Sequence, residues 1–195
     1  MPAISRESLL TLESYAKTRK EFRAKVLNHK KRRTVQLGGH VTLIFEDELT
    51  IRYQIQEMLR VEKIFEEEGI QSELDAYNPL IPDGSNWKAT MMIEYPDPDE
   101  RQRQLQRLKG IEDRVWVQAG TAGRVYAIAD EDLERENETK TSAVHFLRFE
   151  LTPAMKKILG MGGGLAMGVD HPNYRHGLDP VPPDVHDALI KDLKF

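Results

Sequence analysis

Apolar positions recur along the 195-residue chain with two spacings, and the switches between them predict the elements. Near the start, Leu9, Leu12 and Ala16 recur at helical spacing behind Ser5, a good capping residue, so a short helix is expected over 5–16. A second helix is expected over 19–33, with Phe22, Val26 and His29 on one stripe. Between 35 and 45, β-branched and apolar residues flank Gly38-Gly39. That pattern predicts a β-hairpin, the glycines supplying the positive φ angles of a two-residue turn. From 50 to 68 the helical period returns. Ile51, Ile55, Met58, Glu62 and Phe65 share a stripe, and Gly69 ends the helix. A shorter helix is expected over 70–77.

Beyond Asn78 the pattern favours strands. Residues 78–86 are rich in turn formers, with Pro79 and Pro82-Asp83-Gly84 fixing the backbone. Trp87, Ala89, Met91, Ile93 and Tyr95 then alternate with Lys88, Thr90, Met92 and Glu94, as in a strand with one buried face. Asp97-Pro98 opens a surface helix that Gly110 closes, with Leu105 and Leu108 as its apolar residues. Strands are expected over 114–118 and 124–129, then a charged connection over 130–140. A strand over 144–151 reads as apolar on both faces. Thr152-Pro153 caps a short helix ending at Gly160, and a last strand over 165–169 precedes a terminal helix over 184–193. The connections are short turns or single helices. They predict an α+β fold: a mainly antiparallel sheet of about five to seven strands, helices packed on one side, and an N-terminal helical segment.

Charge divides the chain in the same place. Residues 1–33 carry 10 Lys or Arg against 3 acids, whereas the other 162 carry 18 against 29. The favoured reading is a basic helical segment, residues 1–33, that docks on the acidic α+β domain of residues 34–195. The alternative is an interaction module whose basic helix engages nucleic acid or an acidic protein partner. Nucleic acid is the weaker of the two, since the strands carry no exposed aromatic ladder. A chain of this length buries roughly 70% of its unfolded surface and needs no metal or disulfide to fold. It has no cysteine, which excludes disulfides, thiolate-held iron–sulfur clusters and a cysteine nucleophile. No stretch has the length of a signal peptide core or a membrane span, so a cytoplasmic protein without membrane association is expected.

Several runs carry a family resemblance. They include Phe45-Glu46-Asp47, Tyr53-Gln54-Ile55-Gln56-Glu57-Met58-Leu59-Arg60, the stretch 78–90, Gly110-Ile111-Glu112-Asp113-Arg114-Val115-Trp116-Val117, and Tyr126-Ala127-Ile128-Ala129-Asp130-Glu131-Asp132-Leu133-Glu134-Arg135. Val144-His145-Phe146-Leu147-Arg148-Phe149-Glu150-Leu151 and Gly168-Val169-Asp170-His171-Pro172 complete the set. The chain resembles a bacterial domain-of-unknown-function family, DUF3501, over nearly its whole length. The resemblance implies a bacterial single-domain protein, often encoded near rubrerythrin-like di-iron proteins and iron–sulfur oxidoreductases. Redox or di-iron proteins are the partners it implies. It assigns no chemistry to any residue.

The residues themselves offer three candidate sites. His29 and Glu62 both interrupt apolar helical stripes. They read as a buried pair, either a structural link or a metal or acid–base site. Asp170, His171 and His176, in a loop after a strand, are the best divalent-metal set in the chain. The alternative there is a loop that hydrogen-bonds its own backbone. The turn-rich loop offers Asn78, Asp83, Ser85, Asn86, Trp87 and Lys88 to a small ligand, or else spends them on its own backbone. His145, alternating with Leu147 and Phe149, reads as a satisfied core histidine. Glu-x-x-His di-iron signatures, a Walker lysine loop and a Gly-x-Ser-x-Gly elbow are all absent. With no nucleophile–base constellation visible, the leading expectation is an accessory protein of redox or metal homeostasis. It would bind a metal, held by His and carboxylate, or a small ligand.

Overall fold

The computed structural model describes residues 3–195. Met1 and Pro2, the first residues of the segment read for a leader sequence, lie outside them. Ser5 precedes only a 3₁₀ turn, Arg6–Ser8, and makes no side-chain cap. The two expected N-terminal helices are one helix, α1 (Leu12–Lys30), whose cap is Thr11. Its stripe explains the continuity: Tyr15 and Val26 are both buried, and Phe22, between them in spacing, meets the Tyr15 ring edge-on at 6.2 Å.

The hairpin is β1 (Thr34–Leu37) and β2 (Val41–Phe45). Its connection has three residues, and only Gly38, at φ +73°, has a positive φ. A Cβ at Gly38 would fall 2.5 Å from the His176 ring, so the position demands glycine twice. Helix α2 (Glu48–Val61) starts from a reciprocal capping box between Asp47 and Thr50. It stops seven residues before the expected end. Lys63 turns left-handed at φ +56°, and the Ile64 amide bonds back to the Leu59 carbonyl at 2.9 Å. That is Schellman closure with lysine where glycine is usual. Glu62 becomes the C-cap and is exposed, as is Phe65, so neither belongs to the buried stripe. Helix α3 (Glu67–Tyr77) follows.

The remaining elements are β3 (Asn86–Ile93), α4 (Pro98–Arg107), β4 (Val115–Ala119), β5 (Val125–Tyr126), β6 (Ile128–Ala129), β7 (Val144–Glu150), α5 (Pro153–Gly160), β8 (Leu165–His171), β9 (Tyr174–Leu178) and α6 (Pro183–Ile190). The fold is α+β, with two antiparallel sheets rather than one. Their orders are β1-β2-β3-β7-β6 and β5-β4-β8-β9. Two features account for the second sheet. The expected strand over 124–129 breaks at Ala127, with β5 pairing β4 and β6 pairing β7. The segment after β8 turns tightly at Pro172-Asn173 and returns as β9. Strand β7 buries one face only, through His145, Leu147 and Phe149.

One core joins the inner faces of both sheets, with Phe45, Trp87, Met91 and Phe149 meeting Val117, Met167 and Leu189. A second core gathers Ile4 and Leu9 with Ile51, Ile55 and Leu59 of α2 and Ile70 and Leu74 of α3. Helix α1 is fastened to α2 through Glu57, which accepts from Tyr15 at 2.6 Å and from Arg19 at 2.7 and 2.8 Å. Hydrogen bonding from Arg19 leads the effects that hold the Glu57 carboxyl down at about 2.

A buried arginine locks the elements together. Arg33, just after α1, is 2% exposed. Its Nε donates to the Phe45 carbonyl at 2.9 Å and its Nη2 to the Glu46 carbonyl at 3.0 Å. The guanidinium ion-pairs with Asp192 beyond α6 and lies 3.4 Å from Asp47. Asp47 also takes the His29 ring, at 2.5 Å, so the partner of His29 is Asp47 and not Glu62. Replacing Arg33 by Met strands the buried Asp192 carboxylate and removes one of the partners of Asp47, a loss on the order of 3–5 kcal/mol. Urea unfolding of Arg33→Met measures it, and a loss below about 1 kcal/mol would contradict the account.

Candidate functional site

The alternation of β3 sends Trp87 into the core and Lys88 outwards. On β7 the same alternation turns Phe146 and Arg148 outwards. Helices α2 and α3 cover this face without closing on it. The result is a cleft of about 510 Å³, walled by Met58, Glu73, Tyr77 and Leu80 on one side and Lys88, Phe146 and Arg148 on the other. Arg135, from the charged connection, lies with its guanidinium 4.6 Å above the Phe146 ring centre.

The cations of the cleft are not equivalent. Arg148 donates to both oxygens of Glu131, at 2.8 and 2.7 Å, and to Glu150 at 2.7 Å. Arg135 donates to Asp132 at 2.6 and 2.7 Å and to Asp130 at 3.2 Å. Both guanidiniums are therefore matched by carboxylates. The half-buried Lys88 ammonium has no hydrogen bond or ion pair among the described residues. It sits directly across the strands from Arg148. Burial first, opposed by Glu131 and reinforced by Arg148, pushes the Lys88 amine below its usual range. On the helix wall, burial and the neighbouring Glu62 charge push the Glu73 carboxyl up.

Behind the cleft, Asp130 takes a left-handed backbone, φ +50°. Its carboxylate accepts from the Phe146 amide at 2.9 Å and contacts His145 Nδ1 at 2.6 Å. The other nitrogen of this fully buried ring meets Thr141 Oγ1 at 2.9 Å and the Ser142 carbonyl at 3.1 Å. Glu112 lies 3.8 Å from the same nitrogen, its carboxyl pushed up chiefly by burial. Ligating atoms of Glu112, Asp130 and His145 all fall within 4.8 Å of one another. The sequence reading singled out only His145 of these. Glu112 and Asp130 sit in charged runs, where nothing in the spacing marks them as buried or part-buried.

Of the six residues in the turn-rich loop, only Lys88 lines this cleft. Asn78 brackets the Ile4 backbone with bonds of 2.8 and 3.0 Å. Asp83 accepts from the Ser85 amide at 2.7 Å, and Ser85 donates on to Glu150 at 2.7 Å. Asn86 is buried, with its amide 3.3 Å from Glu150. Trp87 is wholly buried and donates to the Leu189 carbonyl at 2.9 Å.

The expected metal loop is the β8–β9 hairpin. His171 is buried, with Nε2 3.0 Å from the Lys109 carbonyl and Nδ1 accepting from the Asn173 amide at 3.2 Å. His176 lies opposite Val169 in register and packs on Gly38. Asp170 points to the other face of the ladder and pairs with Arg175 at 3.3 Å.

Lys88 yields a stability prediction. Its amine loses its proton more readily in the folded chain, so the unfolded chain holds more protons in the alkaline window below 10.5, the ordinary lysine value. Stability therefore rises with pH through that window. Lys88→Met should stabilise the protein by on the order of 0.5 kcal/mol at neutral pH, and the gain should shrink towards pH 10.5. Chemical denaturation of both proteins at several pH values checks this. A destabilised Lys88→Met at neutral pH would overturn it.

Two antiparallel sheets on one core, a helical layer over the outer face and a cleft between them define an α+β class. The chain belongs to the DUF3501 family, whose model, described as a protein of unknown function, matches residues 3–193. It is similar to a novel protein of unknown function from Burkholderia pseudomallei K96243, known from a crystal structure. The two are 57% identical, the match covers 99% of this chain and 100% of that one, and the TM-score is 0.94. No functionally curated protein matches the chain. No helix among the described residues is long and apolar enough to cross a membrane.

Proposed function

We propose that this chain is a small-ligand-binding protein whose ligand sits in the cleft between α3 and the outer face of the five-stranded sheet. One observation carries the reading: a half-buried Lys88 ammonium without a partner, in a cleft whose other cations are already matched. A charged donor withdrawn from water and left unpaired is costly, and a bound ligand offsets that cost. The apolar atoms of Met58, Tyr77, Leu80 and Phe146 give the body of such a ligand a surface to cover. A panel of small aromatic acids, alcohols and aldehydes, titrated into isotope-labelled protein, should shift the backbone amides of Lys88, Phe146 and Tyr77. If none of the panel moves them, the reading falls.

A second reading, as a metal-binding accessory protein in redox or metal homeostasis, is favoured by the Glu112–Asp130–His145 cluster. One imidazole and two carboxylates suit a divalent first-row cation. A cation seated there must displace the contact between His145 and Asp130. Zinc or manganese titrated into the protein should bind near stoichiometrically, and a chelator should remove it. Glu112→Gln should weaken binding at least about tenfold, the scale for disturbing a metal site's shell. His171→Ala with His176→Ala should leave it intact. Loss of metal in the hairpin variant instead would return the site to Asp170, His171 and His176.

A further inference from the structure

We propose that Lys88 is a nucleophile that condenses with the carbonyl group of a small aldehyde or ketone, forming an imine in the cleft. The proposal rests on the reading of the cleft as a ligand site and names its ligand class. Three features of the geometry carry it. Lys88 lies across the ladder from Arg148, and Arg148 is clamped by Glu131 and Glu150. Burial, with the fixed guanidinium beside it, favours the neutral, nucleophilic amine against the pull of Glu131, Asp83 and Glu150. The ammonium makes no hydrogen bond among the described residues, and Phe146 and Leu80 line the same cleft. The free amine therefore breaks no contact when it attacks. Glu73 enters the same cleft from α3, on the wall opposite the strands.

The step balances without a co-reactant. The neutral Lys88 Nζ adds to the carbonyl carbon, forming the C–N bond, and the carbonyl π electrons move to oxygen. That oxygen takes a proton from the Glu73 carboxyl, which burial and the Glu62 charge push up from its ordinary value. The nitrogen then returns a proton to the Glu73 carboxylate, which passes it to the hydroxyl, and the nitrogen lone pair expels that hydroxyl as water. The product is the protonated imine, the form that cyanoborohydride reduces. No oxidation state of the protein changes. A cleft of about 510 Å³ holds a compact carbonyl compound of the size usual for small-molecule sites.

The test traps the imine in the wild-type full chain. Salicylaldehyde and sodium cyanoborohydride are added at pH 7.5, and the secondary amine at each lysine is quantified over time by peptide mass spectrometry. The exposed Lys17 and Lys20 serve as internal references. Labelling at Lys88 should run several-fold faster than at the references, because burial in the cleft lowers its amine. Glu73→Gln should slow Lys88 labelling selectively, leaving Lys17 and Lys20 unchanged. In parallel, 2-hydroxybenzyl alcohol, which cannot form an imine, is titrated against the labelled backbone amides. If the alcohol shifts the cleft amides while Lys88 labels no faster than Lys17, the imine proposal is wrong and the ligand cleft stands. If neither occurs, both readings fail. Preferential labelling at Lys88 supports the proposal whether or not the alcohol binds.

Discussion

The Arg33 guanidinium is the tie on which the arrangement of the layers depends. It is shut away from water, so every one of its contacts must be made by the protein. Those contacts come from the end of β2, the start of α2 and Asp192 after α6. One side chain thus joins the N-terminal helix, the five-stranded sheet and the C-terminal helix, across a sequence separation of 159 residues. Asp192 shows the tension of the arrangement: burial pushes its carboxyl up, and Arg33 pulls it back. Around the same point, Glu46 accepts from Thr90 at 2.7 Å and Asp47 caps α2. The direction in which α2 leaves the sheet is set there.

That direction accounts for the cleft. Helix α2 packs its apolar stripe against α3 and the N-terminal segment rather than against the sheet, so the two cores stay separate. The sheet face beneath the helices is largely polar, with Lys88, Thr90 and Arg148 beside Phe146 in its central strands. Burying those charges under a closed helical layer would cost more than the added contact returns. The charged connection 130–140 adds Glu131, Asp132 and Arg135, which neutralise one another and the sheet's arginine.

Strong local signals in the sequence were legible. Alternation in β3, the Asp97-Pro98 and Thr152-Pro153 helix starts and the glycine hairpin all depend on neighbours a few residues apart, and each lies where the pattern puts it. Signals that depend on distant partners were not. Arg33 reads as the last charge of a basic run because nothing nearby reveals Asp192. The stop at Glu62 is hidden because a lysine, not a glycine, takes the left-handed turn. The hairpin at 170–176 looks like a loop because Pro172-Asn173 is turn chemistry without a glycine, and the returning strand is short and polar. Lys88 was legible as a loop-edge residue, but its isolation follows from cross-strand pairing with Arg148, which no local pattern contains.

His145 and Lys88 lie on opposite faces of the same sheet and show two solutions to one problem. Both are basic groups drawn out of water. His145 is enclosed, and the chain surrounds it with Asp130, Thr141, Ser142 and Glu112. Such completeness rigidifies the segment that carries Asp130. Lys88 has received no comparable partners, although Glu131 and Glu150 lie close enough to act on it. Those acids are spent on Arg148 instead, and guanidinium holds carboxylates more firmly through paired bonds than ammonium does through a single contact. The preference of Glu131 for Arg148 thus leaves one amine free at the wall of a cavity. The ion pairs that stabilise the sheet edge are the same ones that keep Lys88 available for chemistry.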